Sequence, residues 1–340
     1  MNKRLKISTF NLYNLQLPNR SMYNGKKWSV KEYEGKIKWT ADMLKKIDAD
    51  IIGFQELWHP EALQKAFEVA GLNEDYELVT LLTNNAVNVA LAVKKPLSIV
   101  HKKWEAELPE ELKLKKSRKS YGNEPPYKID IRIKKYSRPL LRANIKLNEN
   151  INITCFVTHL KSKLPMRITN ENYYDEVKQH SNAIGHALST IRRASESAAL
   201  RIVLNKEMSN NNKPVILMGD LNDSQQSVTT SIISGDPTYK LFHKSRKGSR
   251  SDKGLYSVAE LQELRSLRDV YYTYIHDGFR ESLDHILVSE QFYDYSKNRI
   301  WSFQETRIIN DHIDDKKGRG FGSDHGIVIS TFNFDPESSE

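Results

Sequence analysis

Ionisable and hydrogen-bonding side chains recur along this sequence at the ends of short apolar runs. Asn11 ends the first run, Glu56 follows Ile51–Phe54, and His159 ends a run that begins at Ile151. The other candidates border later runs in the same way; they are Asp220, Asn222, Asp284, Asp324 and His325. In α/β proteins, strand ends that meet along one edge of a sheet are where ligands bind and chemistry takes place. These residues are therefore candidates for a single functional site.

No residue of this set identifies a site by itself. An aspartate after an apolar strand is commonly a turn former or a helix cap, and a single histidine is commonly structural. The information lies in their joint occurrence and fixed order, because each stands in or beside a strand-like run.

Strand-like and helix-like patterns alternate over the whole chain. Apolar runs rich in Val and Ile predict strands over Leu5–Asn11, Ile51–Phe54, Asn88–Val93, Ile151–His159, Pro214–Asp220, Ser282–Val288 and Gly326–Phe332. Apolar residues at helical spacing predict helices over Lys31–Ile47, Glu61–Ala70 and Tyr173–Met208. This alternation indicates an α/β or mixed architecture.

Six short motifs contain the candidate residues. They are Thr9–Asn11, Phe54–Glu56, Thr158–Leu160, Met218–Asn222, Leu283–Ile286 and Gly322–His325. In this order they resemble the motifs of the endonuclease/exonuclease/phosphatase superfamily, which includes pancreatic-type deoxyribonucleases, repair nucleases, inositol polyphosphate phosphatases and bacterial sphingomyelinases. The segments Ser137–Arg142 and His159–Lys163 resemble a bacterial, deoxyribonuclease I-like subgroup. The resemblance implies a four-layer sandwich of two packed mixed β-sheets flanked by helices, and metal-dependent phosphoester hydrolysis.

A divalent-metal site is part of what the resemblance implies. Glu56 corresponds to a direct ligand of Mg²⁺ or Mn²⁺, which suits a hard cation because such ions prefer carboxylate oxygens. Asn11 and Asp324 correspond to residues that complete or support the site. The motifs do not decide between one ion and two.

The remaining motif residues are implied to act in catalysis. Asp220 would orient and deprotonate the attacking water, and Asn222 would hold water or phosphate beside it. Asp284 would hydrogen-bond His325, which fixes the imidazole tautomer and favours its protonated form. His325 and His159 would both face phosphate oxygens, where negative charge develops during in-line attack. His285 departs from the usual motif, and the sequence assigns it no role.

The motifs extend over residues 9–325, so we expect one domain over residues 1–335 and a polar tail at 336–340. Two segments look like insertions, one around 102–137 with Pro125-Pro126 and one around 224–255 that is rich in Ser, Gly and Lys. Loops of this length inside a compact domain are usually functional or mobile.

Positive charge is concentrated in one part of the chain. The formal net charge is +9, and His101–Lys146 contains 14 Lys and Arg residues against 6 Asp and Glu residues. Such a surface attracts polyanions, although a solvated lysine-rich loop would give the same composition. Arg138, Arg142, Lys161 and Lys163 are the candidate substrate-binding residues. They favour a nucleic-acid substrate, DNA or RNA, bound with low sequence specificity.

Two alternatives remain open beside a nuclease. One is a phosphatase or phosphodiesterase acting on a small phosphorylated molecule or a lipid headgroup; the other is an inactive nucleic-acid-binding module on the same fold. The sequence does not distinguish endonucleolytic from exonucleolytic cleavage. It has no heptads or obvious apolar patch that would indicate an obligate protein partner.

The same composition bears on location. No signal peptide or long apolar segment is evident, which favours the cytoplasm and no membrane association. The single cysteine, Cys155, lies inside an apolar run and is expected to be a buried small hydrophobic residue.

Overall fold

The computed structural model describes residues 4–23, 25–81, 86–117, 128–168, 178–237, 239, 253–266, 272–276, 278–314 and 321–335. Its strands are Arg4–Leu15 (β1), Ile51–Leu57 (β2), Tyr76–Val79 (β3), Asn88–Lys94 (β4), Ser98–Glu107 (β5), Leu114–Ser117 (β6), Lys128–Ile131 (β7), Lys135–Lys146 (β8), Asn152–His159 (β9), Val215–Asp220 (β10), Tyr256–Ser257 (β11), Tyr274–His276 (β12), Phe279–Glu281 (β13), Asp284–Val288 (β14), Trp301–Ile309 (β15) and Ile327–Phe334 (β16). Its helices are Val30–Ile47 (α1), Pro60–Ala70 (α2), Ser181–Met208 (α3), Val228–Ser234 (α4), Val258–Glu263 (α5) and Asp311–Asp314 (α6).

Two six-stranded sheets form the centre of the molecule. The first has the order β15-β16-β1-β2-β4-β3 and the second β11-β14-β10-β9-β8-β5. Helices α1 and α2 cover the outer face of the first sheet, and α3 and α4 cover the second. The predicted four-layer sandwich of two mixed sheets and flanking helices is thus confirmed.

Side chains that alternate along the strands build the separate cores. In β10, Ile216 lies in the core between the two sheets, whereas Leu217 packs against α3 and α4. In β1, Ile7 lies between the sheets and Phe10 packs against α1 and α2. Successive strand residues point to opposite faces, so a strand covered on both sides must be apolar throughout. Cys155 is free and buried in the core between the sheets, as its sequence context predicts.

Local signals set the ends of the first two helices. Ser29 caps α1 in a capping box with Glu32, and α2 begins at Pro60 and ends at Gly71, where φ is 72°. The predicted long helix is shorter than expected, since α3 begins at Ser181 after a 3₁₀ turn at Lys178–His180. Residues 173–177 of that prediction lie outside the described part of the chain.

The first predicted insertion is narrower than its composition suggested. Residues 102–107 belong to β5 and residues 135–137 to β8, and these strands pair antiparallel at the edge of the second sheet. The exposed charged side chains of β5 made it look like a loop. An edge strand with charged residues is nevertheless typical, because charge discourages pairing with another chain. The second predicted insertion contains α4, and residues 240–252 within it are not described.

Within the described ranges, no helix has both the length and the apolar character that crossing a bilayer requires.

Candidate active site

The strand register places three candidate residues side by side. Asp220 on β10 pairs with His159 on β9 and with Asp284 on β14. In the first sheet, β1 and β2 run parallel, so Asn11 and Glu56 come to the same edge, and His325 lies two residues before the start of β16. The side-chain nitrogen of Asn11 donates to Asp220 Oδ2 over 3.1 Å and joins the two sheets at this edge.

A glycine before Asp220 is required by the close approach of β9 and β10. Gly219 has φ of 148°, and a Cβ there would lie 1.9 Å from the backbone oxygen of Thr158. Any side chain at this position would push the two strands apart. Strand packing therefore requires glycine at position 219, and the chemistry of the candidate site concerns Asp220 next to it.

Asp220 is the buried centre of the cluster. Its Oδ1 accepts from the backbone N–H of Asn222 at 2.8 Å. Its Oδ2 lies 3.3 Å from His159 Nε2 and 4.0 Å from His325 Nε2. Asn222 also donates its side-chain amide to the backbone oxygen of Leu160 at 3.1 Å, which holds the turn after β10 against the end of β9.

Burial controls the protonation of this cluster. Desolvation raises the pKa of Asp220 to about 7, even though the nearby charge of His325 acts to lower it. Desolvation, followed by the charges of Arg138 and His325, holds the pKa of His159 well below its ordinary value. At neutral pH, His159 is therefore an uncharged imidazole and Asp220 is close to its titration midpoint.

His325 is held in the opposite state. Its Nδ1 lies 2.7 Å from Asp284 Oδ2, and both side chains are buried. Burial would lower the pKa of His325, but the charge and hydrogen bond of Asp284, with the charges of Asp324 and Asp220, raise it well above its ordinary value. The protonated imidazolium is thus favoured, as the motif resemblance implies, and it directs Nε2 toward Asp220.

Glu56 and Asp324 form a second acidic pair on the first-sheet side. Desolvation and then the charge of Asp324 raise the pKa of Glu56. The buried Oδ1 of Asp324 makes no hydrogen bond to the described protein. Two like charges with an unsatisfied carboxylate oxygen suit a divalent cation, which would neutralise both. The donor set therefore fits the metal site expected at Glu56 and Asp324.

Asn11 acts as a bridge between the carboxylates. Its amide nitrogen donates to Asp220, and its side chain also hydrogen-bonds Glu56. Its Oδ1 accepts from the backbone N–H of Tyr13 at 3.0 Å. These contacts place Asn11 between Asp220 and the carboxylate of Glu56 at the candidate metal site.

A different trio also has metal-binding geometry. Ligand atoms of Asp220, Asp284 and His325 lie within 4.8 Å of one another, which makes them a buried acidic/histidine group that could hold an ion. Asp284 Oδ2 is already engaged by His325 Nδ1, however. A hydrogen-bonded network accounts for this trio more simply than direct coordination does.

Four residues in or beside the site have a strained backbone. Tyr13, Asn14, Glu56 and Asn222 all have left-handed φ values, between 48° and 60°. This conformation costs a non-glycine residue roughly 1–2 kcal/mol, and such strain is commonly kept where it orients functional groups. In β1 it lets the backbone N–H of Asn14 donate to Glu56 Oε2 at 3.0 Å.

Of the four candidate substrate-binding residues, Arg138 and Lys161 line a cavity, and Arg142 and Lys163 form ion pairs with glutamates. Arg138 and Lys161 line a cavity beside the site, and Arg138 donates to the backbone oxygen of Leu160 at 2.9 Å. Lys163 pairs with Glu281 at 2.5 Å.

Arg142 forms an ion pair with Glu207 on α3 and lies opposite Phe156, three residues before the end of β9. The guanidinium of Arg142 thus contributes to packing α3 against the sheet, and its contact with substrate stays a prediction.

Several supporting residues were given no role from the sequence, although Ser323 lies within one of the six motifs. The hydroxyl of Ser323 donates to the backbone oxygen of Asn11 at 2.8 Å and accepts from the N–H of His325 at 3.0 Å. The ring of Tyr274 lies 5.0 Å from that of His325, and His312 Nε2 is 2.8 Å from the His325 backbone oxygen. These contacts depend on tertiary proximity and leave no periodic signal in the sequence.

Glu196 is a second omission, in the middle of α3. This fully buried carboxylate accepts from the N–H and hydroxyl of Ser137 at 2.7 and 2.6 Å and from the N–H of Lys161 at 2.9 Å. Arg192 Nε completes its set at 3.2 Å. Glu196 thus fixes the two segments from which Arg138 and Lys161 project.

His285 has a structural contact. Its Nε2 lies 2.9 Å from the backbone oxygen of Asp223, and desolvation lowers the pKa of the buried ring. Asp223 in turn accepts from Arg193 at 3.2 Å and Thr229 at 2.7 Å. The ring therefore helps to fix the segment that follows Asp220.

Comparisons with known proteins identify a family and a fold. Residues 9–325 match the sequence profile of the Endonuclease/Exonuclease/phosphatase family. No curated protein matches the sequence.

Among solved structures, the chain is similar to an endonuclease/exonuclease/phosphatase family protein from Bacteroides thetaiotaomicron, with 16% identity, 98% of each chain covered and a TM-score of 0.56. It is similar to the human Nocturnin catalytic domain with bound sulfate, with 14% identity, 98% and 96% covered, and a TM-score of 0.56. D. rerio TDP2 complexed with a single-strand DNA product gives 15% identity, 97% and 99% covered, and a TM-score of 0.56. At these identities the likeness shows a shared fold.

Proposed function

We propose, from the premise that the chain belongs to the endonuclease/exonuclease/phosphatase family, that this phosphoester hydrolase is a metal-dependent nuclease. Its substrate would be nucleic acid, DNA in the first place, cleaved by in-line attack of an activated water. The observation that carries the proposal is the position of Asp220. It lies buried among His159, His325 and Asn11, at the edge where Glu56 and Asp324 meet.

Glu56 and Asp324 would hold Mg²⁺ or Mn²⁺, with Asn11 orienting the carboxylates beside the ion. A divalent cation here supplies positive charge to phosphoryl oxygens and to the leaving oxygen as they become more negative.

Asp220 would accept the proton of the attacking water. A carboxylate whose pKa is about 7 is an effective general base near neutral pH, because it is both partly ionised and basic enough to remove a proton. The backbone N–H of Asn222 donates to Oδ1 of Asp220, and the side-chain amide of Asn11 donates to Oδ2. These two hydrogen bonds fix the orientation of the carboxylate that would activate the water.

The two histidines would have different roles at the phosphate. His325 is favoured as an imidazolium by Asp284 and would stabilise the developing charge. His159 is held neutral by burial and would donate a hydrogen bond to another phosphate oxygen without adding charge.

A nucleic-acid substrate is favoured by the charges next to this centre. Arg138 and Lys161 line the adjoining cavity, and the charge of Arg138 reaches both Glu56 and His159. The similar fold of TDP2 bound to a single-strand DNA product supports the same substrate class. Contacts of this kind to phosphate select a polyanion without selecting a sequence.

The test is a substrate panel with purified protein. Plasmid DNA, linear DNA, RNA and small phosphate esters are incubated with Mg²⁺ or Mn²⁺, with EDTA as the control. We expect metal-dependent cleavage of nucleic acid that EDTA abolishes. Phosphate release from small esters alone would assign the phosphatase alternative, and salt-sensitive DNA binding without any hydrolysis would assign an inactive binding module.

A further inference from the structure

A cavity of about 520 Å³ opens next to the candidate active site. Its walls come from the end of β1 and the segment that follows it, from Arg138 on β8, and from the residues that follow β9. The residues that matter for its chemistry are Tyr13, Tyr23, Trp28, Lys26, Arg138 and Lys161. Its volume lies in the range of small-ligand pockets, roughly 300–1,000 Å³.

The cavity is connected to the catalytic centre by shared residues. Asn14 lines it, and the backbone N–H of Asn14 donates to Glu56 Oε2 at 3.0 Å. Arg138 also lines it, and its charge acts on Glu56 and His159. A group in the cavity would therefore lie directly beside a phosphate at the candidate metal site.

The lining combines aromatic rings with positive charge. Tyr13, Tyr23 and Trp28 supply ring surfaces, and Lys26, Arg138 and Lys161 supply cations. No carboxylate lines the cavity among the residues that the structure describes. Rings flanked by cations suit a planar heterocycle attached to phosphate, because the ring can stack while the cations neutralise the backbone.

The ring surfaces are held in place. Trp28 is buried and donates Nε1 to the backbone oxygen of Asn14 at 3.1 Å. Tyr23 is 66% exposed, packs edge-on against Trp58 with ring centroids 4.9 Å apart, and its hydroxyl hydrogen-bonds Arg138. Tyr23 thus presents a largely exposed ring that is held by Trp58 and, through its hydroxyl, by Arg138.

We infer that this cavity binds the unpaired base of the nucleotide next to the scissile phosphate, by stacking on Tyr23 and its neighbouring rings. The inference rests on the proposed nuclease function and specifies its substrate: single-stranded or frayed nucleic acid over intact duplex. A base enclosed by a cavity has to leave the duplex stack, and this costs least where the base is already unpaired.

The test uses a single-stranded oligodeoxynucleotide and copies of it in which one nucleotide at a time lacks its base. In the wild-type protein, removing the base at one position beside the cleaved bond should lower kcat/KM about tenfold, the effect of losing one base–aromatic stack. In Tyr23→Ala, the ratio of kcat/KM with and without that base should fall close to one. Tyr23→Phe retains the ring and should keep the penalty. Binding of the same oligonucleotides by anisotropy in EDTA repeats the comparison without hydrolysis.

The outcomes separate this inference from the nuclease proposal. Cleavage with no position-dependent penalty, or with an equal penalty in wild type and Tyr23→Ala, overturns the cavity assignment and leaves the nuclease intact. Base-dependent and Tyr23-dependent binding in EDTA without any nucleic-acid cleavage supports the cavity and overturns the nuclease. Absence of both effects overturns both.

Discussion

Asp284 and Asp220 are neighbours across two paired strands, yet they differ in what their carboxylates contact. Asp284 Oδ2 is 2.7 Å from His325 Nδ1, whereas the Asp220 carboxylate lies next to neutral groups, the N–H donors of Asn11 and Asn222 and the ring of His159. The contact with Asp284 favours the imidazolium form of His325. Burial of Asp220 favours its protonated carboxyl form and raises its pKa to about 7. One cluster therefore contains both a positive group and a proton acceptor at neutral pH.

Replacing Asp284 by Asn should shift the pH dependence of catalysis. Since Asp284 raises the pKa of His325, its loss lowers that pKa, and the imidazolium is lost at a lower pH than in wild type. The alkaline limb of the kcat/KM profile should therefore move to lower pH, and activity at neutral pH should fall at least about tenfold. His285→Gln, beside it in sequence, is the control. An unchanged alkaline limb in Asp284→Asn would contradict the assigned role of His325.

At the scale of single residues, the sequence identified most of the cluster but not its division of labour. Motif order was enough to select Asp220, His325 and Glu56. It could not distinguish Arg138 from Arg142, because both are basic residues on one strand, and only the partner Glu207 on α3 separates them. It also missed Glu196, whose only signal is a carboxylate within a mixed-charge helix.

The long helix α3 contacts residues near the site through Glu196, in its middle, and serves packing through Glu207, near its C-terminal end. Glu196 holds Ser137 and Lys161 near the catalytic edge, whereas Glu207 pairs with Arg142 and accepts from Thr154 at 2.8 Å. Both glutamates lie on the same helix and accept hydrogen bonds from the strands packed against it. Their replacements can therefore be compared directly.

Replacing either glutamate by Ala should destabilise the protein, but only one replacement should impair catalysis. Each leaves buried donors unpaired, at a cost of about 3 kcal/mol, measurable as a shift in the midpoint of urea denaturation. Glu196→Ala should also lower kcat/KM for nucleic acid under conditions where the protein remains folded, and Glu196→Gln should recover part of it. Equal catalytic losses in Glu196→Ala and Glu207→Ala would show that Glu196 acts on stability alone.

Burial of the strand faces explains which strands the sequence predicted. Strands buried on both faces, such as β9 and β10, have continuous apolar runs and were predicted with nearly correct ends. The edge strand β5 has one or more charged residues on both faces, so periodicity gave no strand signal, and only its pairing with β8 defines it.

For the whole molecule, the basic character of the chain is less informative than the position of a few cations. Lys102 is exposed on the edge strand β5, whereas Lys26, Arg138 and Lys161 line the cavity beside the site. The charge count of His101–Lys146 includes Lys102 and Arg138 on equal terms and leaves out Lys26 and Lys161, because composition does not reveal which cations lie beside the site.

Salt dependence should distinguish the two groups. If the three cavity cations contact phosphates of a single strand, the logarithm of the affinity should fall against the logarithm of salt concentration with a slope of about −2. Lys161→Gln should reduce the magnitude of that slope by about 0.7, and Lys102→Gln should leave it unchanged. Equilibrium binding in EDTA at several KCl concentrations measures both. A larger effect of Lys102 would place the main polyanion contact on the edge strand.

The proposed function requires metal-dependent hydrolysis at the edge where the two sheets meet. The most direct measurement is cleavage of a labelled single-stranded oligonucleotide by wild type, Asp220→Asn and His325→Ala, each with Mg²⁺, with EDTA, and with Mg²⁺ restored, after circular dichroism has verified the fold. We predict that wild-type cleavage stops with EDTA and returns with Mg²⁺, and that both variants lose activity by a factor of about a thousand or more. Cleavage that persists in EDTA, or a folded variant as active as wild type, would contradict the central claim.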